Sequence, residues 1–144
     1  MYKRVIVAID FAESSKQVLQ RALELVGDDI HKLVLAHVVE PIPMVWGMES
    51  YAINPIDLQQ KILESSQQML EQFGNENGIA KGDQFTLRGS PAKKIREIQD
   101  KQNADAIVIG SHGHGGWKMM LGSTAVSLLH GATCDVLTVY ISAD

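Results

Sequence analysis

The stretch Ile107 to Val126, IVIGSHGHGGWKMMLGSTAV, holds the residues best suited to chemistry. Five glycines fall within its thirteen residues Gly110 to Gly122, between an apolar run of strand type and a segment of helical type. Glycines at a strand-to-helix junction let backbone N–H groups converge on an anion, and let that anion approach without a Cβ in the way. Ser123 and Thr124 follow at the expected helix start, where hydroxyls and free N–H groups suit phosphate oxygens. The pattern predicts a phosphate cradle; the plainer alternative is a flexible loop with Ser123 as an N-cap.

Other chemistry is harder to find. Asp10 is the one well-placed acid, at the end of the first apolar run, where it could orient a ribose, hold Mg²⁺ through water, or cap the helix that follows. His112 and His114 stand one residue apart with no nearby Cys or acid at ligand spacing, so they are read as loop residues near phosphates and no metal is assigned. Where a dinucleotide fingerprint should follow the first strand, the chain reads Asp10-Phe11-Ala12-Glu13, and no glycine-lysine-serine/threonine sequence of a P-loop occurs. Lys93, Lys94 and Arg96 read as a solvated helix face rather than a phosphate clamp. No nucleophile with a partner base is legible, so no catalytic residue is named.

These residues need strands and helices to position them. Apolar runs of strand length alternate with stretches of helical period, the pattern of repeated βα units on a parallel sheet. Strands are expected at Arg4 to Ile9, Leu33 to Val39, about Gln84 to Leu87, Ala106 to Ile109 and Val136 to Ile141; all but the third should be central or covered on both faces. Ser14 with Gln17 resembles a capping box opening a helix that Gly27 stops. Asn54-Pro55 opens a second helix with the stripe Leu58, Ile62, Met69 and Phe73, ending at Gly74. Ser90-Pro91 opens a third, carrying Ile95 and Ile98, and Ser123 to His130 makes a fourth, closed by Gly131. The apolar segment Pro41 to Ile53 is too long for a routine turn and is expected to be a lid, a contact surface or a cover for the sheet edge.

With 144 residues the chain is expected to form one domain, residues 1 to 144. Hydrophobic residues at 45% and charged residues at 21% argue for a packed core over a disordered or coiled-coil chain. A net charge of −4, from 13 Lys and Arg against 17 Asp and Glu, lacks the basic stripe that nucleic acid requires. The single cysteine, Cys134, can close neither an internal disulfide nor a multi-cysteine zinc site, which fits a reducing compartment and predicts a cytoplasmic location. Asp10 arrives before a signal-peptide apolar region could develop and no run of about 18 apolar residues occurs, so neither secretion nor membrane spanning is expected.

Gly110-x2-Gly113, eight residues, then Gly122-Ser123 is similar to the signature of the nucleotide-binding members of the universal stress protein family, G-x2-G-x9-G-(S/T), with a gap one residue shorter. The resemblance extends along the chain: RVIVAID with Phe11 to Ser15 looks like the family's first strand and helix entry, LVLAHVVEP with His37-Val38 like its second strand, RGSPAKKI like its entry to the third helix, and CDVLTVY like its last strand. It implies a single-domain, doubly wound α/β fold, Rossmann-like and close to the adenine nucleotide alpha hydrolases, with five parallel strands in the order 3-2-1-4-5 and helices on both faces. It further implies ATP, with or without Mg²⁺, in the cleft between strands one and four: adenine beside Ala8, Ile9 and Val38, ribose near Asp10 and Gly110, phosphates over His112, Gly113, Gly122, Ser123 and Thr124. The implied protein is a cytoplasmic homodimer that senses stress and signals to a protein partner. Alternatives are a slow ATP hydrolase and a nucleotide-free interaction module. In that sheet order the last strand is an edge too apolar to stand alone, so a symmetric dimer is expected there, burying Val136, Val139 and Ile141 or the alternates Leu137 and Tyr140.

Overall fold

The computed structural model describes residues 1–41, 55–111 and 118–141. The chain runs β1 (Val5–Ala8), α1 (Ser15–Leu25), β2 (Leu33–Val39), α2 (Pro55–Glu76), β3 (Gln84–Arg88), α3 (Pro91–Gln102), β4 (Ala106–Gly110), α4 (Lys118–Gly131) and β5 (Asp135–Val139). Short 3₁₀ turns at Ile30–Lys32 and Lys81–Asp83 lead into β2 and β3. All strands are parallel, in the order β3-β2-β1-β4-β5.

The period of two along each strand divides the core between the two faces of the sheet. Val5, Val7, Ile9, Leu33, Leu35 and Val108 point to one face, where Val18, Leu19 and Ala22 of α1 and Leu70 of α2 cover them. Ile6, Val34, Ile107 and Ile109 point to the other, under Ala92, Ile95 and Ile98 of α3 and Leu128 of α4. Helices on both faces are what a sheet with continuous apolar strands demands. At the strands' N-terminal end, the Asp105 carboxylate accepts the N–H groups of Lys3 (2.9 Å) and Arg4 (3.0 Å). The Arg4 guanidinium donates to the Asp83 carboxylate (2.6 Å), Gln102 Oε1 (2.8 Å) and the His31 carbonyl (3.1 Å). One side chain thus ties together the entries to β2 and β3 and the end of α3.

Several expectations need correction. The capping box at α1 does not form: Ser14 holds a helical conformation and makes no side-chain cap bond, while Gln17 Nε2 donates to the Tyr140 carbonyl. Gly27 does stop α1, at φ +65°, and the N–H groups of Gly27 and Asp28 return to the carbonyls of Glu24 and Leu23, the Schellman arrangement. On α2, Met69 is exposed and Leu70 is buried, because the helix turns its contact stripe by one residue toward the sheet. α2 also continues two residues past Gly74. β1 is one residue shorter at each end than expected, and β5 starts one residue earlier and ends two sooner. β5 is not covered on both faces: as an edge strand it buries Val139 and leaves Leu137 and Thr138 exposed. The interior of segment Pro41 to Ile53, and Asn54, lie outside the described residues.

Ile6 is fully buried on the central strand, where its side chain meets α3 and α4 residues. Ile6→Ala is expected to lower unfolding free energy by about 3 kcal/mol, as buried aliphatic truncations do. Urea denaturation followed by circular dichroism measures it, and a loss below about 1 kcal/mol would contradict this packing.

Candidate functional site

In a doubly wound sheet a crevice opens where the winding reverses, outside the carboxyl ends of the two strands concerned. Here those strands are β1 and β4. Their pairing runs from Val5↔Ala106 to Val7↔Val108 and stops. Beyond it each strand follows a different neighbour: the Ile9 N–H donates to the Ala36 carbonyl of β2 (2.8 Å), and the Ser111 N–H to the Val139 carbonyl of β5 (2.8 Å). The two ends part, and Asp10 and Gly110 stand at the mouth of the gap.

The turn from β1 into α1 is tightly built. Asp10 Oδ1 accepts the Ala12 N–H (3.0 Å) and the Ser15 hydroxyl (3.2 Å), so this carboxylate caps the turn that Ser14 leaves uncapped. Its second oxygen, Oδ2, has no partner among the described residues. Phe11 follows with φ +64°, a left-handed backbone that a bulky aromatic residue rarely adopts. Its ring lies against the His37 imidazole, centroids 4.3 Å apart and planes tilted 41°. His37 Nδ1 sits 2.6 Å from the Ile9 carbonyl. A carbonyl only accepts, so Nδ1 carries the proton and Nε2 is the basic nitrogen. Burial pushes the imidazole below its ordinary value, against the opposing effects of the Ile9 carbonyl and the Asp10 charge.

Of the residues carried over from the resemblance, Ala8, Ile9, Asp10, Val38 and Gly110 sit at or near the carboxyl ends of β1, β2 and β4. Ile9 is more restricted than expected, since its N–H is taken by Ala36 and one lone pair of its carbonyl by His37. His112 and Gly113 lie outside the described residues. The fourth helix starts at Lys118, not after Gly122, so Gly122, Ser123 and Thr124 stand within it rather than at its free end. The physical reason is propensity: Lys118, Met119, Met120 and Leu121 are strong helix formers, and one glycine costs only about 1 kcal/mol inside the helix they begin. By helix geometry the helical residues whose N–H groups lack intrahelical partners are 118 to 120.

The other residues have structural work. Lys94 pairs with Glu97 (3.2 Å) and Arg96 donates to the Ser127 carbonyl (2.9 Å), which joins α3 to α4. Cys134 is partly buried, and burial raises its thiol above the ordinary value, which suits an unreactive side chain. Among the described residues no cluster of three or more His, Cys, Asp or Glu could hold a metal ion. A shallow groove lies elsewhere, between Phe11, Ala12 and Ser15 at the start of α1 and Met69 and Phe73 of α2. Sequence reasoning missed the Phe11–His37 contact; the signal available was an aromatic residue directly after the acid that ends the first strand, where a dinucleotide fold would place glycine.

The sheet order and the parted strand ends define a doubly wound α/β fold with a crevice at the β1/β4 switch point. The chain belongs to the universal stress protein family: the family's sequence profile, described as Universal stress protein family, matches residues 1–140. Universal stress protein A homolog 1 of Coxiella burnetii is 37% identical over 141 residues, which cover 97% of both chains. Among solved structures, the hypothetical protein MJ0577 superposes over the whole of both chains with a TM-score of 0.76 at 21% identity. A universal stress protein in complex with cAMP superposes with a TM-score of 0.59 at 24% identity, over 98% of this chain and 99% of the other. No helix among the described residues is long and apolar enough to cross a membrane.

The two hydrogen bonds on Asp10 Oδ1 generate a stability prediction. Asp10→Ala leaves the Ala12 N–H and the Ser15 hydroxyl without their acceptor and is expected to cost about 1–2 kcal/mol. Chemical denaturation tests this; a variant as stable as the parent chain would mean that Asp10 does not cap the turn.

Proposed function

We propose that this chain binds ATP in the β1/β4 crevice and acts as a cytoplasmic, homodimeric stress-response sensor whose nucleotide-bound state is read by a partner protein. The observation that carries the reading is the parting of β1 and β4 at Asp10 and Gly110, with one carboxylate oxygen of Asp10 left over, among the described residues, after the turn is capped. The cAMP held by a related universal stress protein supports an adenine nucleotide as the ligand class. The crevice residues fit such a ligand. Ala8, Ile9 and Val38 would flank the base, Asp10 and Gly110 the ribose, and His112, Gly113, Gly122, Ser123 and Thr124 the phosphates. Mg²⁺ would neutralise phosphate charge when bound. No activated nucleophile accompanies Asp10, so hydrolysis is expected to be slow at most.

Calorimetry with ATP and Mg²⁺ tests the reading, together with mass spectrometry of the denatured protein for co-purified ATP, ADP or AMP. Micromolar-range binding is expected. Gly122→Val places a branched side chain on the helix flank that phosphate would approach, and should weaken binding at least about 10-fold, roughly 1.4 kcal/mol. Equal affinity in both proteins would remove Gly122 from the site, and absence of binding to the parent chain would leave the interaction-module reading. Turnover on the order of 10 per second would make the protein an ordinary enzyme instead.

The dimer is proposed through β5, the sheet's free edge. Leu137 is 38% exposed there, and Val126 and Leu129 of α4, the helix leading into β5, are 53% and 59% exposed. The alternation of the strand decides which backbone groups are free. The Val139 carbonyl accepts the Ser111 N–H, so residue 139 faces β4 and Thr138 turns its N–H and C=O outward. Thr138→Pro removes one outward donor while sparing the inner ladder, and should shift the protein toward monomer. Sedimentation at tens of micromolar should give the parent chain twice its 15.8 kDa mass. A monomeric parent chain would refute this arrangement.

A further inference from the structure

The segment joining β1 to α1 is held in place by residues that lie outside the ligand set of the crevice. Phe11 keeps a left-handed backbone, φ +64°, that is strained for a residue with a Cβ. Such a conformation persists only where its surroundings over-determine it. The surroundings here are specific. The ring of Phe11 rests on His37 of the neighbouring strand at 4.3 Å, and the same imidazole donates from Nδ1 to the carbonyl of Ile9, two residues earlier. His37 therefore grips the turn on both sides of Asp10, while Asp10 Oδ1 closes it through Ala12 and Ser15.

We propose that His37 and Phe11 are positioning residues for the crevice: together they fix the orientation of the β1–α1 turn, and hence of the Asp10 carboxylate, and they release it when His37 is protonated. The ligand part of this inference rests on the nucleotide reading above; the turn itself does not. The release follows from the surroundings of the imidazole. Its β3 partner in register is Thr86, which is uncharged, and the flanking β3 residues Phe85 and Leu87 are apolar. Among the described residues on the elements around it, the one charged group whose field shifts it is Asp10, in the turn after β1. The Ile9 carbonyl and then the Asp10 carboxylate oppose the burial but do not overcome it, so the neutral ring is favoured in place and the imidazolium is favoured in water. The sign follows. The native value lies below the ordinary 6.5, so the unfolded or released state binds the proton first. Stability and turn order from His37 are fully present above about pH 6.5 and are lost as pH falls from there through the lowered native value.

The experiment uses the full chain with isotope-labelled histidine and backbone, in two arms. In the nucleotide-free protein, the His37 ring signals and the amide signals of Phe11, Ala12 and Ser15 are followed from pH 8 to 5. They are expected to shift with one common midpoint below the ordinary histidine value, and in His37→Gln the three amides should stop titrating. Amides that stay still while His37 titrates, or that titrate equally in His37→Gln, overturn the proposal. Phe11→Gly, which accepts the left-handed backbone but removes the ring, keeps the test decisive should His37→Gln fail to fold; it should leave His37 titrating closer to its ordinary value, and an unchanged midpoint would overturn the link. In the second arm ATP affinity is measured at pH 7.5 and 5.5. A drop of about 10-fold at the lower pH is expected in the parent chain, with a flat profile in His37→Gln; the same drop in both proteins overturns the positioning role. If the parent chain binds no ATP at pH 7.5, the nucleotide reading falls while the first arm still decides the behaviour of the turn.

Discussion

Every placement in this molecule depends on burying both faces of β1. The strand carries only Val5, Ile6, Val7 and Ala8 and has neighbours on both edges, so its backbone is satisfied by β2 and β4 and its side chains must be covered from above and below. One helix pair per face is the smallest cover that does this. The chain supplies it by winding outward from β1 in one direction through β2 and β3, with α1 and α2 on one face. It then crosses over and winds through β4 and β5 with α3 and α4 on the other. The reversal leaves β1 beside β4 with no connection passing between their carboxyl ends. The crevice is thus a consequence of core burial, present before any ligand is considered.

The same constraint explains why the polar groups at the crevice come from turns. Inside β1 no polar side chain could be satisfied, so the first acid arrives two residues after the strand ends, at Asp10. There it does the work of a cap, since Ser14 makes no cap bond. A carboxylate with one oxygen spoken for and one in reserve is held more firmly than a free surface acid. At the opposite end of the sheet Asp105 and Arg4 perform the corresponding task with two backbone donors and a three-way guanidinium contact.

The strands and the βα alternation were legible because Val, Ile and Leu runs of strand length are unambiguous when both faces are buried; β2 was read to the residue. The end of α1 was legible for a similar reason, since Gly27 is where the left-handed C-cap must fall. The errors have a common origin in signals with two meanings. Ser14 and Gln17 satisfy the capping-box spacing, but Asp10 competes for the same turn and wins with a charged acceptor. Gly122-Ser123 looks like a loop ending in an N-cap, yet the four good helix formers before it carry the helix through. The contact between Phe11 and His37 joins a turn residue to a strand residue 26 positions away, and no local pattern encodes such a pair.

The start of α4 at Lys118 changes what its glycine can do. At a helix terminus glycine would let free N–H groups meet an anion directly; inside the second turn its own N–H is committed to the helix, and what remains is the missing side chain. The positive end of the α4 dipole then belongs to the backbone of residues 118 to 120. Gly122 and Ser123 follow one turn further along the axis, about 5 Å on, so a polyphosphate that met the free N–H groups could continue along the flank that Gly122 leaves bare. The helix therefore takes in the glycine and serine that close the sequence signature, because four good helix formers precede them.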